Sequence, residues 1–293
     1  MFHPIPAHLY DEYFAVYSSD RSPSDIKELF IPVHNNPDLR LHTIIKYYSP
    51  PDQSDQNADE QVNAKSDMYL LYSHGNAGNI FGRTDLVETI SNELKCNVVV
   101  YDYRGFGKSG YSNMSNLLNT QRNKAIPTEH GVYDDILTMW LYLTTEMEIA
   151  PENIILYGES LGCAISTWLI KHIARENGQR PHSVILCSGF CSLKREVDDK
   201  AGQMVSWLVD EDIFPTKRNL EEGLRELKER GIELFRTFVL HSPTDEVIRI
   251  DNGIENSRVE NGQFYQIYGG HCSHRFGDVL EKIASDIGHN ENN

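Results

Sequence analysis

Short apolar runs rich in β-branched and aromatic residues recur along the chain and predict β-strands. Several of them, such as VVVY and IILY, are continuously apolar, which is typical of parallel strands that helices cover on both faces. We expect an α/β fold with an eight-stranded, mostly parallel sheet, whose first two strands pair antiparallel. The predicted strands span residues 28–33, 41–48, 68–73, 97–103, 153–158, 182–187, 236–241 and 263–268.

The spacers from the third strand onward are long enough for crossover helices. Residues 132–147 and 161–176 repeat apolar side chains every three to four positions, which predicts amphipathic helices. We therefore expect helices on both faces of the sheet.

Two segments interrupt this alternation of strands and helices. Residues 50–67 contain no aromatic side chain and no periodicity, which predicts a flexible acidic loop. Residues 190–231 are longer than a crossover requires and contain an apolar patch at 204–209, which predicts a small cap over the open edge of the sheet. Because no internal repeat or linker is visible, we expect one domain over residues 1–293.

The composition excludes some classes of partner. With 27 basic and 43 acidic residues the formal charge is −16, which disfavours binding to nucleic acids. No apolar run approaches the roughly 20 residues of a membrane span, and the N-terminal residues lack the features of a signal peptide. We expect a cytoplasmic protein without an integral membrane segment, for which a partner would supply any recruitment to membranes.

Five unevenly spaced cysteines are typical of reduced thiols rather than of a disulfide framework. The densest group of metal-ligand residues is His271, Cys272 and His274, and it lacks a second ligand pair at zinc-finger spacing. The sequence therefore predicts no metal site.

The strongest chemical signal is Gly158-Glu159-Ser160-Leu161-Gly162, a G-x-S-x-G motif between a predicted strand and a predicted helix. In this setting the serine lies on a strained turn with its hydroxyl exposed, and the following helix directs its N-terminal amides at a reacting carbonyl. We predict that Ser160 is a nucleophile.

A serine nucleophile requires a histidine base and an acid, in the chain order serine, acid, histidine for this arrangement. Asp245 and His271 each follow a predicted strand and are the favoured candidates. The alternatives are Glu246 and Asp251 for the acid and His274 for the base. Two glycines precede His271 in a loop suited to present it, whereas His274 is expected to begin the final helix.

An oxyanion hole needs two backbone amides. One is expected from Leu161, directly after the nucleophile, and the other from the glycine-containing loop 73–79 after the third strand. Asn76 is the favoured second donor, and Ala77 is the alternative.

The glycines of residues 102–110 resemble nucleotide-binding loops. The phosphate-loop pattern fails because Asp102 stands where it requires glycine. The dinucleotide pattern, G-x-G-x-x-G, falls after the fourth strand instead of opening the sheet. We expect no cofactor.

The segments YSHGNAGN, YDYRGFGKSG, LYGESLGCA, HSPTDEVI and GGHCSH, in that order, resemble the α/β-hydrolase-domain group of serine hydrolases, which includes protein depalmitoylases. The resemblance covers about residues 68–288. It implies the eight-stranded hydrolase fold and no metal. It also implies a triad, which maps onto Ser160, His271 and Asp245.

The chain also departs from that group. Its membrane-acting members typically carry an N-terminal cysteine cluster or hydrophobic helix, whereas the first cysteine here is Cys96. Relatives commonly have Asn-Asp after the catalytic histidine, where this chain has Cys272-Ser273.

The expected activity is hydrolysis of carboxylic esters or thioesters through an acyl-enzyme, with a depalmitoylase acting on a lipidated protein as the narrower hypothesis. The alternatives are a serine peptidase on the same fold and a non-catalytic ligand-binding or scaffold protein.

Overall fold

A computed structural model describes residues 3–4, 25–50, 66–111, 125–196 and 213–288. Its central sheet contains the eight strands that the apolar runs predict. They are β1 (Ile26–Val33), β2 (Asn36–Lys46), β3 (Tyr69–Ser73), β4 (Asn97–Tyr101), β5 (Ile154–Glu159), β6 (Ser183–Cys187), β7 (Arg236–His241) and β8 (Gly262–Gln266).

The strands lie side by side in the order β8-β7-β6-β5-β3-β4-β2-β1. Strand β2 pairs antiparallel with both β1 and β4, and the remaining pairs are parallel. The antiparallel pairing of the first two strands is therefore confirmed. A two-residue strand, Gly110–Tyr111, adds to the edge of β2, and His3–Pro4 pairs separately with Ala77–Gly78.

Six α-helices with both ends among the described residues connect or follow these strands, and residues 193–196 are also helical. The helix predicted over 132–147 is an α-helix that continues as a π-helical turn at Tyr142–Glu146, and the one predicted over 161–176 ends one residue later. The helices are α1 (Thr84–Leu94), α2 (Glu129–Leu141), α3 (Leu161–Asn177), α4 (Thr216–Glu229), α5 (Ile250–Asn256) and α6 (Val279–Gly288).

Helices cover both faces of the sheet, as the continuously apolar strands predict. On one face α2, α3 and α4 bury a large core that includes Trp140, Leu169 and Leu220. On the other face α1 and α6 pack together over a smaller core that includes Ile90 and Ile283. Close packing on both faces fixes the positions of the strands. The loops that follow their carboxyl ends therefore start from fixed points.

Parts of the two segments that interrupt the pattern fall outside the described residues. These are 51–65 of the predicted acidic loop and 197–212 of the predicted cap, which includes the apolar patch at 204–209. Within 190–231, helix α4 packs against α3, so this part belongs to the helical layer of the sheet. None of the described helices is both long and apolar enough to cross a membrane.

Candidate active site

Ser160 lies on the turn between β5 and α3 and adopts φ 53° and ψ −112°. Residues other than glycine rarely adopt such a conformation, and this kind of strain is concentrated at functional sites. The glycines of the motif permit close packing around the turn. A Cβ atom on Gly158 would lie 2.6 Å from the Cα atom of Cys163, and one on Gly162 would lie 1.9 Å from the carbonyl oxygen of Ser73.

The structure brings together the three side chains that the sequence predicts as a triad. The Nε2 atom of His271 lies 3.0 Å from Oγ of Ser160, and its Nδ1 atom lies 2.9 Å from Oδ2 of Asp245. Asp245 follows β7 and His271 follows β8, so all three residues lie at the carboxyl edge of the sheet. With Nδ1 protonated, the imidazole can donate to the carboxylate and accept the serine proton.

The carboxylate of Asp245 is held by several donors. Its Oδ1 atom accepts hydrogen bonds from the amides of Val247 at 2.9 Å and Ile248 at 2.8 Å. Burial opposes ionisation, but the hydrogen bonds from His241, His271 and the Ile248 amide outweigh it and hold the pKa of Asp245 well below its ordinary value. Asp245 is therefore ionised at neutral pH and suited to orient the imidazole.

Glu246, the alternative acid, has a different contact. Its Oε2 atom accepts a hydrogen bond from the backbone amide of His271 at 3.0 Å. A Cβ atom on Gly270 would lie 2.7 Å from that oxygen. Glu246 thus holds the histidine loop by its backbone, while Asp245 holds the ring.

His274, the alternative base, bonds to another serine. Its Nε2 atom lies 3.0 Å from Oγ of Ser188, a fully buried hydroxyl at the end of β6. The prediction that His274 begins the final helix is wrong, because that helix begins at Val279. An isolated bridge between Tyr268 and Arg275 orders the intervening residues instead.

The loop after β3 passes directly beside the nucleophile. A Cβ atom on Gly75 would lie 3.5 Å from Cβ of Ser160. Leu161 is the first residue of α3, where an amide has no acceptor within its own helix. Asn76, Ala77 and Leu161 all line the cavity in front of Ser160. This placement is compatible with the predicted oxyanion amides, and the choice between Asn76 and Ala77 stays a prediction.

A largely buried ion pair beside Ser160 was not predicted from the sequence. The Nε atom of Arg83 donates to Oε2 of Glu159 at 2.8 Å, and the Tyr72 hydroxyl donates to the same oxygen. Burial would raise the pKa of Glu159, but the Arg83 charge and the Tyr72 hydrogen bond outweigh it and lower that pKa. Arg83 also donates to the carbonyl oxygen of Ala77 at 3.4 Å, so it links the turn at Ser160 to the loop after β3.

The glycine-rich turn at 102–110 surrounds a buried carboxylate. Oδ1 of Asp102 accepts a hydrogen bond from the Ile80 amide at 3.1 Å and lies 3.6 Å from Nε2 of His74. Its Oδ2 atom lies 3.3 Å from Nδ1 of His42. Asp102 therefore contacts both ends of the loop after β3, and a Cβ atom on Gly107 would lie 1.8 Å from its Oδ2 atom, so the turn has no room for a side chain there.

A cavity of about 390 Å³ opens in front of Ser160. Its walls beyond Ser160 and His271 are mostly apolar, and its charged side chains are Glu196 and the paired Arg83 and Glu159. The apolar wall is formed by Leu161, Phe190, Leu193, Phe214, Val247 and Ile248. Phe190, Leu193 and Phe214 lie in the segment where the sequence predicts a cap. Among the described residues there is no group of three or more His, Cys, Asp or Glu side chains that could hold a metal ion.

A family model described as "Serine aminopeptidase, S33" matches residues 65–223, more than half of the chain. The chain belongs to this family of α/β hydrolases. The match contains the oxyanion loop and Ser160 and ends before Asp245 and His271.

Curated relatives support the same group. "Uncharacterized protein R595" of Acanthamoeba polyphaga mimivirus is 28% identical over 296 residues, which cover 97% of this chain and 87% of that protein. "Alpha/beta hydrolase domain-containing protein 17B" of Homo sapiens is 37% identical over 93 residues, 32% of this chain and 27% of that protein. "Lysophosphatidylserine lipase ABHD12" of Danio rerio is 33% identical over 189 residues, 63% of this chain and 45% of that protein. The matched part spans less than half the length of the last two relatives.

Solved structures show the same fold. An alpha-beta hydrolase from Vibrio vulnificus superposes with a TM-score of 0.59 at 17% identity, covering 97% of this chain and 91% of that one. The carboxylesterase EstE1, cloned from a metagenomic library, superposes with a TM-score of 0.52 at 13% identity, covering 96% and 95% of the two chains. The expected α/β-hydrolase fold is confirmed.

Proposed function

We propose that the chain is a serine hydrolase that cleaves carboxylic esters or thioesters through an acyl-enzyme, with Ser160, His271 and Asp245 as its triad. The observation that carries this proposal is the continuous contact from Ser160 Oγ to His271 Nε2 at 3.0 Å and from His271 Nδ1 to Asp245 Oδ2 at 2.9 Å. The strained turn at Ser160 and the esterases among the structures of the same fold support it.

In the proposed reaction the Ser160 hydroxyl oxygen attacks the substrate carbonyl while its proton passes to Nε2 of His271. The amides of Leu161 and Asn76 stabilise the oxyanion, and Asp245 stabilises the imidazolium. Collapse of the intermediate breaks the bond to the leaving oxygen or sulfur, which takes the proton from His271. Water then attacks the acyl-enzyme by the same path, and the acid is released.

An acyl chain fits the chemistry of the cavity walls. Six apolar side chains line the space in front of Ser160, and an acyl chain gains about 0.8 kcal/mol for each buried methylene. The narrower hypothesis, an acyl-protein thioesterase, draws support from the similarity to the domain-containing protein 17B over 93 residues. Peptide hydrolysis is the second candidate, which the description of the matched family model favours.

The proposal is tested by labelling with a fluorophosphonate probe. We expect the wild-type protein to be labelled and Ser160→Ala to remain unlabelled although folded. Absence of labelling in the folded wild type would instead favour a binding protein that has lost turnover. Esters, thioesters and amides of one octanoyl group, compared by kcat/KM, then separate esterase and thioesterase activity from peptidase activity.

A further inference from the structure

A second cavity adjoins the one in front of Ser160. It encloses about 450 Å³ between α1 and the loop after β8. Three residues line both cavities, namely Arg83, Glu159 and Cys272. Cys272 directly follows His271 and Glu159 directly precedes Ser160, so the wall that the two cavities share is next in sequence to the proposed reacting residues.

The two cavities differ in chemistry. The first is mostly apolar, whereas charged and polar side chains of α1 and of the β8 loop line the second, together with Leu86, Phe276 and Leu280. Of its charged groups, Arg83 and Glu159 neutralise each other.

The other charged side chains of the second cavity are Asp85, Glu93 and Arg275. Within the part of the chain that the structure describes, none of these three forms an ion pair. Among the described residues the lining thus has two carboxylates and one guanidinium outside ion pairs, so the cavity has an excess of negative charge and favours a cationic group.

The geometry of ester cleavage needs two spaces. A carbonyl held at Ser160 carries an acyl chain on one side and a leaving group on the other, and the two extend in different directions. With an acyl chain in the apolar cavity, the neighbouring space for the leaving group is the second cavity, which shares Arg83, Glu159 and Cys272 with the first.

We propose that the second cavity binds the leaving group, and that this group is a thiol or alcohol with a positively charged substituent. The inference rests on the proposed function. In the acylation step the bond from Ser160 Oγ to the acyl carbon forms and the bond from that carbon to the leaving sulfur or oxygen breaks. The proton that His271 took from Ser160 passes to the leaving atom, and the neutralised thiol or alcohol departs from the second cavity.

The test compares three thioesters with the same octanoyl group. The first has thiocholine as its leaving group, the second has the uncharged isostere in which tert-butyl replaces trimethylammonium, and the third has ethanethiol, which is too small to fill the cavity. Thr89→Phe places a ring in the cavity from an exposed position of α1. Asn92→Phe adds the same ring to the same helix at an exposed position outside the cavity lining.

We expect Thr89→Phe to lower kcat/KM for the two bulky thioesters by about tenfold, which corresponds to the cost of an overfilled site. It should leave the ethanethiol ester unaffected. The Asn92→Phe control should match the wild type on all three. Equal effects of Thr89→Phe on all three thioesters, or no effect on any, would overturn the assignment of the cavity.

A second variant tests the charge without changing the shape. The double substitution Asp85→Asn and Glu93→Gln should lower kcat/KM for the thiocholine ester by about threefold to tenfold, as expected for partly exposed ion pairs. It should leave the uncharged isostere unchanged. A parallel loss on both would contradict the cationic preference.

Fluorophosphonate labelling distinguishes failure of the leaving-group site from failure of the proposed hydrolase function. A wild type that is labelled and cleaves the ethanethiol ester, but whose variants show no selectivity, refutes only the leaving-group site. A wild type that is neither labelled nor active refutes the proposed function, and the inference falls with it.

Discussion

At the scale of single residues, the Asp245 carboxylate fixes the imidazole of His271 in one tautomer. It accepts from Nδ1 at 2.9 Å while two backbone amides hold its other oxygen. This leaves Nε2 unprotonated toward Ser160, which is the form that a general base requires.

We therefore expect Asp245→Asn to lower kcat by about 10⁴-fold, because an amide in this position favours the wrong tautomer. Folding should survive, since the side chain keeps its size and an acceptor oxygen. Steady-state kinetics on an octanoyl thioester measures kcat, and circular dichroism checks that the variant is folded. A folded variant that retains more than about a tenth of the wild-type rate would show that Asp245 does not act on the base.

The identity of these residues was predictable because each one follows a strand. The G-x-S-x-G motif, chain order and placement at strand ends predicted that Ser160, Asp245 and His271 lie together at one edge of the sheet, as they do, and their catalytic roles stay predictions. The contacts of Glu246 and His274 were not predictable. They depend on the conformation of the loop at 269–276, where a positive φ of 96° at Gly269 directs the chain, and periodicity contains no information about such a loop.

The contact between Arg83 and Glu159 was not predictable from the sequence either. Nothing in the spacing of the sequence pairs a residue at the start of α1 with the middle residue of the G-x-S-x-G motif. Their contact follows from β3 and β5 lying side by side, which is a property of the sheet order.

At the scale of elements, the turn from β5 to α3 holds the nucleophile by close packing. The helix passes so near to β3 that the Gly162 position has no room for a methyl group, with 1.9 Å to the carbonyl oxygen of Ser73. Backbone atoms on both sides prevent easy relaxation.

We expect Gly162→Ala to lower the free energy of unfolding by about 2 kcal/mol or more, as in other overpacked sites. Gly82→Ala is the matched control, because a Cβ atom there meets nothing within 4 Å and φ is not positive. Urea denaturation of both variants provides the comparison. Equal stabilities of the two variants would contradict the packing account.

The elements themselves were predictable where burial is complete. Strands β4, β5 and β6 are buried along their full length, and each was visible as an uninterrupted apolar run. The two-residue strands at Gly110–Tyr111 and Ala77–Gly78 were not visible, because so short a segment has no periodicity. The sequence predicts that the residues of α4 belong to a cap, whereas the apolar face of α4 is covered by α3.

At the scale of the whole molecule, buried carboxylates at the site link stability to pH. The pKa values of Asp245 and Glu159 lie below their ordinary values of 3.8 and 4.5. A carboxyl whose pKa is lower in the folded state stabilises the fold above its unfolded pKa, and this stabilisation disappears as the pH falls.

We expect the difference in unfolding free energy between the wild type and Asp245→Asn to shrink as the pH falls from 7 to 3, with the change concentrated below about pH 4. Comparing two nearly identical chains cancels the effect of the formal charge of −16. Urea denaturation at each pH supplies the values. A difference that stays constant or grows toward low pH would contradict the depressed pKa of Asp245.

Most walls of the cavity in front of Ser160 come from segments outside the sheet, whereas Ser160, Asp245 and His271 each follow a strand. Val247 is exposed and Leu193 is partly buried, so these two positions vary at less cost to the fold than Phe190 and Phe214, which belong to the buried core. In directed evolution, libraries confined to Leu193 and Val247 would change the walls of the cavity while the proposed triad stays constant. Natural divergence of paralogues would be expected to follow the same route.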